Sequence, residues 1–288
     1  MAGLTLDHVV HPGRFDAGSD LHAAQPFTFA SMERAAEFAC GAVDVRTLAV
    51  LFRDEADMEL PASFRRLPEL ERCIADLRPF RVRRKLALLR DILAAGCRRG
   101  NAEYVVFTNV DIALQPHFYL AVAALIGRGH DAFVINRRTI PAASFDLADL
   151  PLMYAELGEP HPGYDCFVFR RDLYPRFTLG EVCIGTAWVG RALLANLAVH
   201  AARFREFRDL HLTFHLGDSL SWRQTEFDDY LQANREEYQR VASALEREAG
   251  GFPAEFRSYL LDAGRQRSIP DFDRFFIAAG RCLPLEAP

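Results

Sequence analysis

The chain has 288 residues, half of them apolar and a quarter charged. This is ordinary globular composition and excludes a disordered, collagen-like or coiled-coil chain; the length suits one α/β domain, with room for a second. Basic and acidic residues number 34 and 39, a net charge of −5, which excludes a general nucleic-acid-binding surface but permits a local basic pocket for a phosphorylated ligand.

In chain order, residues 1–25 show weak periodicity and the turn-formers Pro12, Gly13 and Gly18, and read as an irregular arm. Phe27-Thr28-Phe29-Ala30 is β-prone, and Ser31 is placed to cap a helix over MERAAEFACGA. Val45 to Phe52 reads as a buried strand followed by the acidic loop Asp54-Glu55-Ala56-Asp57. Residues 61–79 hold three prolines and read as a connector or short helix. Leu86, Leu89, Ile92 and Leu93 share one face of a helix expected over Arg84 to Cys97. Tyr104 to Thr108 is an unbroken apolar strand, suited to a sheet covered on both faces. Pro116 opens the next helix, Ala132 to Asn136 is a strand, 139–163 is loop-rich, and Cys166 to Phe169 is a further strand. Ala187 to Ala202 reads as helix, and His211 to Phe214 as a short strand. From Arg223 the pattern is helical, with shorter helices near 254–262 and 271–279. Strand and helix alternate as in a mostly parallel α/β sheet flanked by helices. We read an arm (1–25), a catalytic domain (26–222) and a helical C-terminal extension (223–288) packed on the same domain.

No run approaches about 18 consecutive apolar residues, so no membrane span is expected. The first residues lack the basic start and apolar stretch of a secretory signal. Cys40, Cys73, Cys97, Cys166, Cys183 and Cys282 form no Cys-x-x-Cys pair and read as reduced, mostly buried thiols of a cytoplasmic protein. Lys85 is the only lysine among the 34 basic residues. Codon bias explains that, or a position that needs a compact ammonium.

Four constellations carry chemistry. Asn109 and Asp111 follow the Tyr104–Thr108 strand, where open α/β sheets bind ligands. They are oxygen donors for one hard cation, or turn-formers. His215 and Gly217 follow the HLTF strand: the imidazole is a metal ligand or a buried structural histidine, and the glycine backbone can approach a phosphate. His211, on the same strand face, is expected to be structural. Asp165, in His161-Pro162-Gly163-Tyr164-Asp165, is a catalytic group, a ligand for a substrate hydroxyl, or a cap of backbone amides. Arg137 and Arg138 are a clamp for phosphate or carboxylate, or solvated surface charge. If Asp111 and His215 share a metal, carboxylate and imidazole must converge to about 3–6 Å.

The order of these segments resembles the GT-A glycosyltransferases, the nucleotide-diphospho-sugar transferases, over residues 26–222. Their Asp-x-Asp motif appears here as Asn109-Val110-Asp111, with an amide in place of the first carboxylate. The resemblance implies a metal-assisted transfer of a sugar from a nucleotide-diphosphate donor to an unknown acceptor. Mn2+ or Mg2+ would be held by Asp111 and His215, with Asn109 assisting. Phe27–Ser31 and the Asp54/Glu55 loop would bracket base and ribose, Lys85 would face the diphosphate from its helix, and Arg137, Arg138 and Gly217 would meet phosphate. Asp165 would serve beside the donor sugar. The His215, Gly217 and Trp222 run is similar to that of some retaining members; Gly180-Glu181 only partly echoes the acidic pair of inverting ones. A sugar-phosphate nucleotidylyltransferase is the first rival, and FTFASMER lacks the glycine and lysine of its phosphate loop. A non-catalytic nucleotide- or carbohydrate-binding protein is the second, favoured by Asn109. No nucleic acid and no membrane enters either reading, and donor, acceptor and oligomeric state are left open.

Overall fold

The computed structural model describes residues 3–141, 145–161, 163–208, 210–217 and 225–261. Asp218, Trp222, Cys282 and the helix expected over 271–279 lie outside them. In chain order the main elements are β1 (Leu4–Val10), α1 (Asp20–Ala39), β2 (Val43–Phe52), β3 (Arg65–Leu70), α2 (Leu89–Arg99), β4 (Tyr104–Thr108), β5 (Ala113–Leu114), α3 (Phe118–Gly127), β6 (Ala132–Ile135) and β7 (Arg138–Ile140). They continue with α4 (Leu150–Ala155), β8 (Glu159–Pro160), β9 (Cys166–Arg170), α5 (Val189–His200), β10 (Phe204–Phe207), β11 (Thr213–Leu216), α6 (Asp228–Ala249) and α7 (Ala254–Leu261).

Seven strands form one sheet in the order β10-β6-β9-β4-β1-β2-β3. Only β9 runs antiparallel to its neighbours. Helices α1 and α3 cover one face, packing Met32, Phe118 and Val122 on Leu6, Val106 and Phe133. Helices α2, α5, α6 and α7 cover the other, where Leu93, Leu193, Tyr238 and Phe256 meet Val9, Val105 and Phe167. Burial of each such side chain contributes about 1.5–3 kcal/mol. Exposed ion pairs add about 0–1 kcal/mol each, so the apolar layers, not the many surface arginines, hold the sheet. The C-terminal helices belong to that same core. A second, small sheet runs β5-β11-β7-β8 at the edge of the first.

Four sequence expectations are corrected. Residues 1–25 are not an irregular arm: β1 is a central strand, paired with β2 and β4. Its apolar run is broken by Asp7 and His8, both fully buried. Tertiary contacts satisfy them, as buried polar groups require. Arg46 stands 2.8 Å from Asp7, Arg171 also pairs with it, and the Ala102 amide donates to it at 2.9 Å. His8 joins the Tyr119 hydroxyl at 2.7 Å and Thr108 Oγ1 at 2.9 Å.

Phe27–Ala30 is helix rather than strand, since α1 already begins after a Ser19 cap whose Oγ accepts from the His22 amide at 3.2 Å. Helix α2 begins at Leu89, not Arg84. The segment before it is held extended: Leu88 bridges to Cys183 and Ala87 O accepts from the Ile184 amide at 2.9 Å. Backbone pairing there outweighs a helix propensity of tenths of a kcal/mol per residue. Residues 61–79 contain the edge strand β3, a place in a sheet where Pro68 is tolerated.

Among the described residues the cysteines are free, and burial pushes the Cys97 and Cys183 thiols up to about 12. No described helix is long and apolar enough to cross a membrane.

Candidate active site at the carboxyl edge of the sheet

The loops after β4 and β6 carry Asn109, Asp111 and Arg137 to the carboxyl edge of the parallel strands. Asp165 arrives at the same edge because β9 runs the opposite way. His215 is supplied by β11, which pairs with β5 just beyond Asp111.

Asp111 Oδ2 lies 3.2 Å from His215 Nε2. The Gly217 carbonyl, 2.7 Å from His215 Nδ1, can only accept, so Nδ1 donates to it, and Nε2, which faces the carboxylate, donates there when it too carries a proton. Gly217 has φ +67°, a conformation that favours glycine and turns its carbonyl back onto the ring. Burial works to raise the Asp111 carboxyl. The hydrogen bond and charge of His215, with the charge of Arg137, outweigh it and hold the group below the ordinary carboxylate value. The second oxygen, Oδ1, is buried and has no hydrogen-bond partner among the described residues.

Asp165 sits beside this pair. Its Oδ1 accepts from Asn109 Nδ2 at 3.1 Å, and its Oδ2 from Arg137 Nη1 at 2.9 Å. Both members of the ion pair are nearly buried, with side-chain exposures of 11% and 13%. His161 Nε2 lies 3.3 Å from Arg137 Nη2. The backbone below is fixed by helix α5: a Cβ on Gly190 would stand 2.6 Å from the Tyr164 carbonyl oxygen. The residue before that helix, Trp188, has φ +81°, an outlier for a bulky side chain.

A second polar corner lies at the ends of β1 and β2. Lys85 Nζ donates to Asp54 Oδ1 at 2.7 Å and Glu55 Oε1 at 2.9 Å, and lies 4.2 Å from the Phe52 ring centroid. His11 donates from Nδ1 to the Val50 carbonyl at 2.8 Å and stands edge-on to Phe52. Burial holds His11 below its ordinary value, against the raising effects of that bond and of Glu55.

The structure therefore brings Asn109, Asp111, Arg137, Asp165 and His215 together, with Gly217 joined to His215 through its carbonyl, and gathers Asp54, Glu55 and Lys85 in a corner of their own. Lys85 reaches that corner from an extended segment rather than a helix. Two expected site residues are absent from both groups. Ser31 lies inside α1, fully buried, where its Oγ donates to Thr28 O at 2.8 Å and accepts from the Leu114 amide at 3.0 Å. It anchors β5 rather than a nucleotide. Arg138 turns away from Arg137 and holds the carbonyls of Leu157 and Gly158, the latter at 2.7 Å, so the two arginines form no clamp. His211 precedes β11 with φ +43° and contacts Gln115 Nε2 at 3.1 Å.

Sequence reasoning missed His11 because β1 was not recognised; its signal is the polar-Pro-Gly turn directly after an apolar run. It also missed the proximity of His161 to Arg137, which no spacing encodes.

The residues fit a divalent cation in part. Asp111 offers an unpartnered buried oxygen, His215 an imidazole nitrogen aimed at the same carboxylate, and Asn109 an amide oxygen, since its nitrogen is engaged by Asp165. Among the described residues no group of three His, Cys, Asp or Glu side chains is placed to hold a metal ion. Any such ion would take its remaining ligands from substrate phosphate and water, as Mg2+ commonly does.

No protein-family model and no curated protein sequence matches the chain. Solved structures are similar to it. Staphylococcus aureus TarS 1–349 in complex with UDP-GlcNAc superposes with a TM-score of 0.53 at 9% identity, over 96% of this chain and 73% of that one. Mycobacterium tuberculosis glucosyl-3-phosphoglycerate synthase, in complex with Mn2+, UDP-glucose and phosphoglyceric acid, gives a TM-score of 0.45 at 16% identity, over 88% and 83%. The sheet order, the single antiparallel strand and the likeness to TarS identify the architecture of this chain as the GT-A fold.

Proposed function

We propose that the chain is a glycosyltransferase that moves a sugar from a nucleotide-diphosphate donor, with Asp111 and His215 as the protein ligands of Mn2+ or Mg2+. The observation that supports this best is the meeting of Asp111, with one unpartnered buried oxygen, and His215 at 3.2 Å. A cation bound there would neutralise charge developing on the departing diphosphate.

The chain's own groups supply the rest. Arg137 adds a fixed positive charge at the same edge and holds the Asp165 carboxylate in one orientation, so that it can meet a sugar hydroxyl with little reorganisation. Asn109 donates to the other Asp165 oxygen, coupling that group to the Asp111 loop. The His11, Phe52, Asp54, Glu55 and Lys85 corner suits the base and ribose: it presents an aromatic face, carboxylate acceptors and one ammonium donor. Retention of anomeric configuration is kept as part of the reading. Glu181, whose Gly180-Glu181 segment only partly echoes the acidic pair of inverting members, faces Arg78 at 3.6 Å and Arg90 at 3.8 Å.

Hydrolysis and binding of UDP-, GDP-, ADP- and dTDP-sugars with and without Mn2+ test the proposal. Turnover of one donor that requires metal and is lost in Asp111→Ala supports it. Nucleotide binding without turnover of any donor would instead support a non-catalytic binding protein, which the amide at Asn109 favours.

A further inference from the structure

His8 shares a face of β1 with Leu6 and Val10, which pack in the apolar layer beneath α1 and α3. It is fully buried, and its ring stands edge-on to that of Tyr119, with centroids 5.8 Å apart. Both ring nitrogens are engaged. Nδ1 lies 2.7 Å from the Tyr119 hydroxyl, and Nε2 lies 2.9 Å from Thr108 Oγ1. Thr108 and Tyr119 are as deeply buried as His8 itself. Burial holds the ring neutral, its pKa down to about 3. A neutral imidazole has one N–H and one lone pair, and each hydroxyl can donate or accept, so either tautomer satisfies both contacts.

Thr108 and Tyr119 flank residues 109–118, the segment that carries Asn109, Asp111 and β5. One imidazole thus joins the two ends of the segment that bears Asp111. The sheet does not need this link to form. The Thr108 backbone is already paired with Cys166 of β9, and an apolar side chain at position 8 would match Leu6 and Val10. Buried polar groups in their place carry a desolvation cost. What they add is a fixed span between the ends of the segment. Its middle is held separately, by the Leu114 amide on Ser31 Oγ at 3.0 Å and the Gln115 amide on Leu212 O at 2.9 Å.

We propose that His8 is a positioning residue: by joining Thr108 to Tyr119 it fixes the ends of residues 109–118 and so holds Asp111 in place against His215. Its effect on metal rests on the glycosyltransferase reading; the restraint on the segment does not. Removing a group that orients a metal ligand typically costs about 10- to 100-fold in metal affinity.

The test uses two variants of the full chain. His8→Leu removes both ring nitrogens and leaves two buried hydroxyls without that partner, so it should be less stable than the wild type. The triple variant His8→Leu/Thr108→Val/Tyr119→Phe removes the hydroxyls as well at similar volume. Its melting temperature should return close to that of the wild type, because no buried polar group is left unpaired. In both variants the amides of residues 109–115 should exchange with D2O at least about 10-fold faster than in the wild type, with the gain confined to that segment. Mn2+ is titrated into protein saturated with UDP, or with whichever of GDP, ADP and dTDP binds. It should bind about 10- to 100-fold more weakly to the triple variant. A role in core packing alone predicts that exchange and metal affinity recover together with stability. That recovery overturns the proposal, and so does faster exchange spread evenly over the sheet in either variant. If the wild type binds no Mn2+ with any of the four nucleotides, the metal reading fails, while the exchange rates still decide the role of His8.

Discussion

Asp111 and His215 stand 3.2 Å apart although 104 residues separate them along the chain. The connection passes through β5, which follows Asp111 and pairs with β11, the strand that carries His215. Replacing either residue should therefore affect one centre. Asp111→Ala and His215→Ala are each expected to lower donor turnover by at least about 100-fold, a typical loss for an electrostatic group at a reacting centre. Melting temperature should stay within a few degrees. Calorimetric titration with Mn2+ in the presence of nucleoside diphosphate checks the assignment: both variants should lose the metal-dependent heat. Collapse of the fold would mark the loop as a structural turn.

The Arg137–Asp165 pair is nearly buried, so breaking it is different from breaking a surface pair. Asp165→Asn removes one counter-charge from a nearly buried guanidinium, and truncating one partner of a buried pair costs about 3–5 kcal/mol. Partial exposure and the neighbouring His161 place the expected loss at the lower end of that range. Urea denaturation measures it. Transfer activity should fall sharply while nucleoside diphosphate still binds, and an Asn variant with full activity would remove Asp165 from the chemistry.

Lys85 offers the contrast. Its ion pairs with Asp54 and Glu55 are partly solvent-exposed, and such pairs contribute about 0–1 kcal/mol. Lys85→Ala should leave stability nearly unchanged yet weaken nucleotide binding several-fold, by isothermal titration. Lys85→Arg should rescue it incompletely, since a planar fork cannot replace a compact ammonium over the Phe52 ring. Unaltered affinity in both variants would return the lone lysine to codon usage.

The buried histidines give the protein a pH signature. His8 is held down to about 3 by burial, so its folded value lies below its unfolded one. The unfolded chain then binds the extra proton first. The neutral-ring contribution is complete above about pH 6.5 and is lost as pH falls from there toward the folded value, by up to about 1.4 kcal/mol per unit. His11 and His200 are shifted in the same direction. Denaturant unfolding should show stability falling between pH 7 and 5, with a shallower slope in His8→Leu.

Gly190→Ala tests how tightly the helical layer fixes the site. The new methyl would meet the Tyr164 backbone at 2.6 Å, and overpacking costs about 1–3 kcal/mol. Loss of activity exceeding the loss of stability, read from kcat and thermal unfolding of the same sample, would show that the strain is passed to Asp165.

The sequence by itself determined the α/β class, the strands at 104–108, 132–135 and 166–170, and the residues Asn109, Asp111, Arg137 and Asp165 beside their ends. Continuous apolar runs must be covered on both faces, and polar residues directly after them must lie at an edge. Tertiary structure alone decided β1, because its central position depends on partners for Asp7 and His8 drawn from Arg46, Arg171, Tyr119 and Thr108. It alone separated Arg137 from Arg138, placed Ser31 inside a helix and held the Lys85 segment extended. Each of those outcomes is set by hydrogen bonds and packing between residues far apart in the chain, whose strength exceeds the local preferences that spacing and composition express.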